Sequence, residues 1–336
     1  MRLSALLILS VTLAACAEKP DANSTDTSSA TASTTAPSTS TKVLGPGEAY
    51  LAVDGGRIWY KITGGGKGTP AILLHGGPGF ASYYMKPLET LGSERPVVRY
   101  DQLGAGNSDH VTDTTMFNIG HFVRELDSLR SHLGYDKVDL VGHSWGTILA
   151  IEYYRGHPEH VASLTLASPA LDIPQWQKNA RRLVTTLSDS AQRAIRIREA
   201  GKKFDAPDYQ NALNEFYGKY VWRHPDSANL DSTFKTVNEG IYNYMQGPSE
   251  FTITGTLKDY DATSFLKNVT VPTLYLVGEF DEADPATVRR FSAMTPGSKV
   301  VLVKGSAHLM QWDAPDAINK AVADFLRAVD TAPAVQ

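Results

Sequence analysis

The chain reads as an α/β protein: a mostly parallel sheet with helices on both faces, interrupted by an inserted helical cap. Three observations predict this. Short apolar runs alternate with helical stretches along most of the sequence. Gly, Pro and Asp turns bound those runs. The alternation stops over residues 170–259, which are rich in Arg, Lys, Tyr and Glu and hold mostly helical stretches without a convincing buried strand. With 336 residues, 42% hydrophobic and 20% charged, the chain can bury one large core and a smaller accessory unit. A net charge of −4 offers none of the concentrated basic surface that nucleic acid requires, so nucleic acid is not expected as a partner.

The elements follow in chain order. Residues 1–16, MRLSALLILSVTLAAC, set one Arg before an apolar stretch and then small residues, the pattern of an export signal and too short to span a bilayer. The ending LAAC resembles the bacterial lipobox, whose Cys becomes a lipid-modified mature N-terminus. Cys16 is also the only cysteine, so no internal disulfide can form. The expectation is an exported bacterial lipoprotein tethered to a membrane through Cys16, at the outer membrane or its periplasmic face. Residues 17–45, dominated by Ser, Thr and Ala, have little to bury and read as a disordered tether. Strands are predicted over 50–53, 57–63, 71–74, 97–100, 138–141, 161–167, 272–277 and 299–303, and helices over 119–133, 145–155 and 316–329. The α/β core then covers 46–169 and 260–330, with the cap at 170–259.

Gly142, His143, Ser144, Trp145 and Gly146 form GxSxG between the apolar run VDLV and the helical run TILAIEYY. A sharp strand-to-helix turn exposes the serine hydroxyl, and the following helix aims its first amides at developing negative charge. Such a serine needs a base. His110, His121, His132, His157, His160 and His224 fall in helices or polar loops, and His143 is expected to point away across the turn. His308 instead lies in GSAHLM, directly after the strand KVVLV, where strand ends gather catalytic groups. The strand TLYLVG ends in Glu279, Phe280 and Asp281; Asp281 is the expected acid, with Glu279, Glu282 and Asp284 as local competitors. The order Ser144, Asp281, His308 on successive strand ends is that of the α/β-hydrolase fold. An oxyanion hole would use the amide of Trp145 and one from HGGPG after the strand AILL, Gly77 with Gly76 as the alternative.

Taken together, HGGPG, DQLGAGNSD, GHSWG, QGPSEFTITGTLKDYD, GEFDEADP and GSAHLMQWD resemble the proline iminopeptidase family of serine peptidases, over residues 49–326. The resemblance implies release of one N-terminal residue, proline among them, from short peptides or amino-acid amides through an acyl-enzyme, with no cofactor and no metal. It also implies cap carboxylates that hold the substrate's free amine, at positions matching Glu215 in NEFYGKY and Glu250 in GPSEF. The chain departs from the pattern at Leu103, where many members carry Arg, and in its export signal. Cap aromatics Trp222, Tyr242, Tyr244 and Phe251 are expected around the released residue. Two competing readings use the same residues: a carboxylesterase or lactonase without an amine clamp, and a catalytically inactive tethered binding protein.

Overall fold

The computed structural model describes residues 44–224, 232–233 and 235–332. The signal segment, Cys16 and nearly all of the expected tether lie outside them. Eight strands form one sheet: β1 (Gly47–Val53), β2 (Gly56–Thr63), β3 (Ala71–Leu74), β4 (Val97–Tyr100), β5 (Val138–His143), β6 (Val161–Ala167), β7 (Thr273–Gly278) and β8 (Lys299–Val303). Their order across the sheet is β1-β2-β4-β3-β5-β6-β7-β8. Asp54 and Gly55 make the two-residue loop that folds β1 back on β2, which pairs antiparallel to β4; every other pair is parallel.

Strands β3, β4, β5 and β7 are buried along their whole length, because helices cover both faces of the parallel portion. Helix α1 (Ile119–His132) begins where the Asn118 side chain accepts the His121 amide, and lays Phe122, Leu126 and Leu129 on the core. Helix α2 (Trp145–Gly156) is almost wholly buried, as its run of Ile, Leu and Tyr requires. Between β6 and β7 the described residues include the helices α3 (Ile173–Val184), α4 (Asp189–Ala200), α5 (Pro207–Tyr220) and α6 (Glu239–Met245). Asp172, Ser188 and Asn238 cap three of them through side-chain oxygens, and Pro207 opens the fourth. They close over their own aromatic core, in which the Phe216 and Phe251 rings lie 5.1 Å apart. The chain ends with α7 (Pro285–Met294), not anticipated from sequence, and α8 (Pro315–Thr331).

The cap is fastened directly to loops at the carboxyl edge of the sheet. Leu309 N–H donates to Val221 O at 2.7 Å, His308 N–H to Tyr220 O at 3.2 Å, and Asn238 N–H to Gly79 O at 2.8 Å. The loop after β4 is anchored from below: the Leu103 amide donates to Glu125 on α1 at 3.0 Å. Glu125 is buried and among the described residues its second oxygen has no hydrogen-bond partner; burial pushes its carboxyl up to about 8. The folded state therefore keeps a proton that the unfolded chain loses near 4.5. Stability from this site is complete below that pH and falls as pH rises toward 8. Glu125→Gln is expected to flatten this dependence and stabilise the protein at pH 8 by on the order of 1–4 kcal/mol, measured by thermal denaturation from pH 5 to 9.

Candidate active site

Ser144 occupies the turn between β5 and α2 with φ 54° and ψ −120°, a conformation that costs a non-glycine residue about 1–3 kcal/mol. The surroundings enforce it. A Cβ on Gly146 would lie 2.0 Å from Leu74 O, and one on Gly142 would lie 2.4 Å from Gly146 O, so only glycine lets α2 start this close to β3. Among the described residues the N–H groups of Gly77 and Trp145 donate to no protein acceptor, and both residues line the same pocket as Ser144. Gly76 is committed elsewhere, its amide donating to the Tyr84 hydroxyl at 2.6 Å. Gly77 adopts φ +110°, a backbone setting that glycine alone accepts readily.

Asp281 and His308 meet across the ends of β7 and β8, with His308 Nδ1 2.9 Å from Asp281 Oδ1. Both are buried. Burial works against an ionised Asp281, but the His308 imidazole, the Ser168 hydroxyl and the Ala283 amide more than offset it and hold the carboxyl below its ordinary value. The competitors have other partners or none: Glu279 accepts the Gly305 amide, and Asp284 caps α7 and pairs with Arg182.

His143, set aside from sequence as the base, packs beside the triad imidazole. Its ring centroid lies 4.7 Å from that of His308, and its Nε2 lies 3.0 Å from His308 O. A carbonyl only accepts, so Nε2 carries the proton; Nδ1 then accepts from the Tyr84 hydroxyl at 2.8 Å. Burial and the neighbouring His308 pull the His143 pKa down to about 3, which keeps this second imidazole neutral.

The pocket over Ser144 has Ile148, Ile173, Trp176 and Leu257 as apolar walls and Glu250 as the acidic one. Tyr242 donates to Glu250 Oε1 at 2.6 Å and Gln246 to Oε2 at 3.3 Å. Glu282, weighed from sequence only as an alternative triad acid, is fully buried, and among the described residues neither carboxylate oxygen has a hydrogen-bond partner. Burial and then repulsion from Glu250 and Asp281 drive its carboxyl well above the ordinary value, and burial likewise raises Glu250. The structure does not bring Glu215 here. Its carboxylate receives the Ser188 amide and hydroxyl at the start of α4, and pairs with Lys219 at 3.1 Å. Of the four expected aromatics, Tyr242 hydrogen-bonds an acid of the pocket; Phe251 is cap core, Tyr244 is exposed, and Trp222 packs on Tyr217. Among the described residues no group of three or more His, Cys, Asp or Glu converges as metal ligands do.

A strained serine at a strand-to-helix turn, an imidazole held by a buried carboxylate and two amides facing one pocket define a serine hydrolase. The α/β hydrolase fold family matches residues 69–315. The proline iminopeptidase of Heyndrickxia coagulans is 39% identical over 288 residues, spanning 84% of this chain and 99% of that protein. That of Saccharolobus solfataricus is 34% identical over 287 residues, spanning 84% and 93%. The crystal structure of the Mycobacterium smegmatis proline iminopeptidase superposes with a TM-score of 0.79 at 29% identity, covering 84% of this chain and 99% of that one. The chain belongs to the proline iminopeptidase family of α/β hydrolases.

Proposed function

We propose that the protein is a serine aminopeptidase that releases a compact N-terminal residue, proline among them, from short peptides or amino-acid amides. The observation that carries this reading is the acidic pair beside the pocket. Glu250 forms part of the wall, and Glu282 lies buried near it with neither carboxylate oxygen hydrogen-bonded among the described residues. Two such carboxylates are costly when the site is empty and favourable once a protonated α-amine arrives, whereas an ester without an amine would leave them unpaired. The apolar walls suit an apolar side chain or ring.

Ser144 attacks the carbonyl of the first residue while His308 takes the hydroxyl proton, and Asp281 stabilises the imidazolium that forms. The amides of Trp145 and Gly77 receive the oxyanion. His308 then protonates the departing amine, and water hydrolyses the acyl-enzyme along the same path. Glu250 and Glu282 hold the ammonium group, which fixes the scissile bond one residue from the N-terminus.

The sequence before residue 44 supports a further proposal of place: export, lipid modification at Cys16, and a tethered enzyme whose 17–45 segment lets it reach peptides near a membrane. Metabolic labelling with a radioactive fatty acid is expected to mark the full chain and not Cys16→Ala; an unlabelled full chain would overturn it.

Activity separates the peptidase from an esterase. With residues 1–45 removed, prolyl or alanyl arylamides are expected to be cleaved and their N-acetyl forms not, with turnover falling above pH ~8 as the substrate amine loses its proton. Glu282→Gln and Glu250→Gln are expected to lower kcat/KM for these substrates by about 10- to 1000-fold while a butyryl ester is little affected. Ser144→Ala should abolish both activities. Cleavage indifferent to acetylation would move the assignment to an esterase.

A further inference from the structure

We propose that Ser168, at the carboxyl end of β6, is a positioning residue for the triad, its hydroxyl locking the Asp281 carboxylate in the orientation that receives His308. The proposal rests on the triad reading above. Ser168 is fully buried and adopts φ +48°, a left-handed backbone setting that serine takes at a cost. Its amide is held by Leu276 O at 2.8 Å, so the strain is imposed by the sheet rather than relaxed into a loop. The result is a hydroxyl 2.6 Å from Asp281 Oδ2 and 3.0 Å from His308 O.

One hydroxyl has one proton, and its destination follows from the neighbours. The His308 carbonyl already receives the Nε2 proton of His143 at 3.0 Å. The shorter contact is to an ionised oxygen, and a charge-assisted bond is the stronger of the two. The Ser168 proton therefore goes to Asp281. Each carboxylate oxygen then has two donors: His308 and the Ala283 amide at 2.9 Å on Oδ1, Ser168 and the Gly278 amide at 3.3 Å on Oδ2. Ser168 makes the short bond on the side of the carboxylate away from His308. Without it Oδ2 keeps only the 3.3 Å Gly278 amide, a weaker restraint on rotation of the carboxylate away from the imidazole. Its second contact, to the His308 main chain, places the same residue against both members of the pair.

The experiment compares full-length wild type, Ser168→Ala and Ser168→Gly. Glycine tolerates the left-handed setting, so this variant removes the hydroxyl while relieving the backbone. The readouts are the second-order rate of Ser144 labelling by a fluorophosphonate, the thermal midpoint, and the low-field proton resonance of the His308–Asp281 hydrogen bond. Labelling does not depend on amine recognition. The expected result is labelling slowed by about 10- to 100-fold in both variants, a midpoint in Ser168→Gly equal to or above wild type, and a shifted or broadened low-field resonance. Labelling within twofold of wild type, or slowing with an unchanged resonance, would overturn the proposal. A wild-type protein that is itself not labelled would overturn the triad reading and this one with it, whereas labelled wild type that cleaves no free-amine substrate would overturn only the peptidase assignment.

Discussion

The first turn of α2 rests against the end of β3 with no room for a side chain between them, since a Cβ on Gly146 would meet the Leu74 carbonyl at 2.0 Å. That contact sets the angle at which the chain leaves β5, and with it the strained backbone of Ser144. It also brings the amide of Trp145 to the same pocket as that of Gly77, which stands three residues beyond the end of β3. The serine, the two amides and the helix axis are thus set by one packing event in the core. The strain at Ser144 is retained because buried strands and a buried helix on either side leave the turn no alternative.

The second organising feature is electrostatic. A folded protein rarely keeps a buried carboxyl without a hydrogen-bond partner, yet among the described residues Glu282 has none and sits near the further acids Glu250 and Asp281. Asp281 resolves its own situation with four donors, one of them the His308 imidazole. Glu250 resolves its in part, through Tyr242 and Gln246. Burial and the neighbouring acids favour the protonated form of Glu282, and under the proposed function a cationic amine entering beside Glu250 would reverse that preference. The site is therefore less stable empty than occupied by an ammonium group, which is a basis for selecting free N-termini over blocked ones.

The parts of this architecture that were legible in the sequence are those written in local pattern. Val138 to Gly146 announces a strand, a turn and a helix in nine residues, and the strands before Asp281 and His308 are continuous apolar runs. The amine site was legible only in part, for a physical reason. A Glu on a cap helix has the same sequence signature whether it faces the pocket or, like Glu215, completes a helix start and an ion pair. Glu282 was obscured by its neighbour: once Asp281 was taken as the partner of His308, the next acid looked redundant, and only its burial without partners marks it out. The same limit applies to His143 and Ser168, whose roles depend on contacts across 165 and 113 residues of chain. Phe251 and Tyr244 were misplaced because an aromatic in a helical cap packs its core or its surface as readily as its pocket.

The central claim is that the buried acidic pair recognises a protonated amine. Calorimetric titration of Ser144→Ala with prolinamide at pH 7, in two buffers of different ionisation enthalpy, tests it most directly. Burial favours the protonated carboxyl of Glu282 in the empty site and a bound cation favours the ionised one, so the account predicts proton release on binding, diminished in the Ser144→Ala, Glu282→Gln double variant, and much weaker binding of N-acetylprolinamide. Proton-neutral binding, or equal affinity for the acetylated ligand, would contradict it.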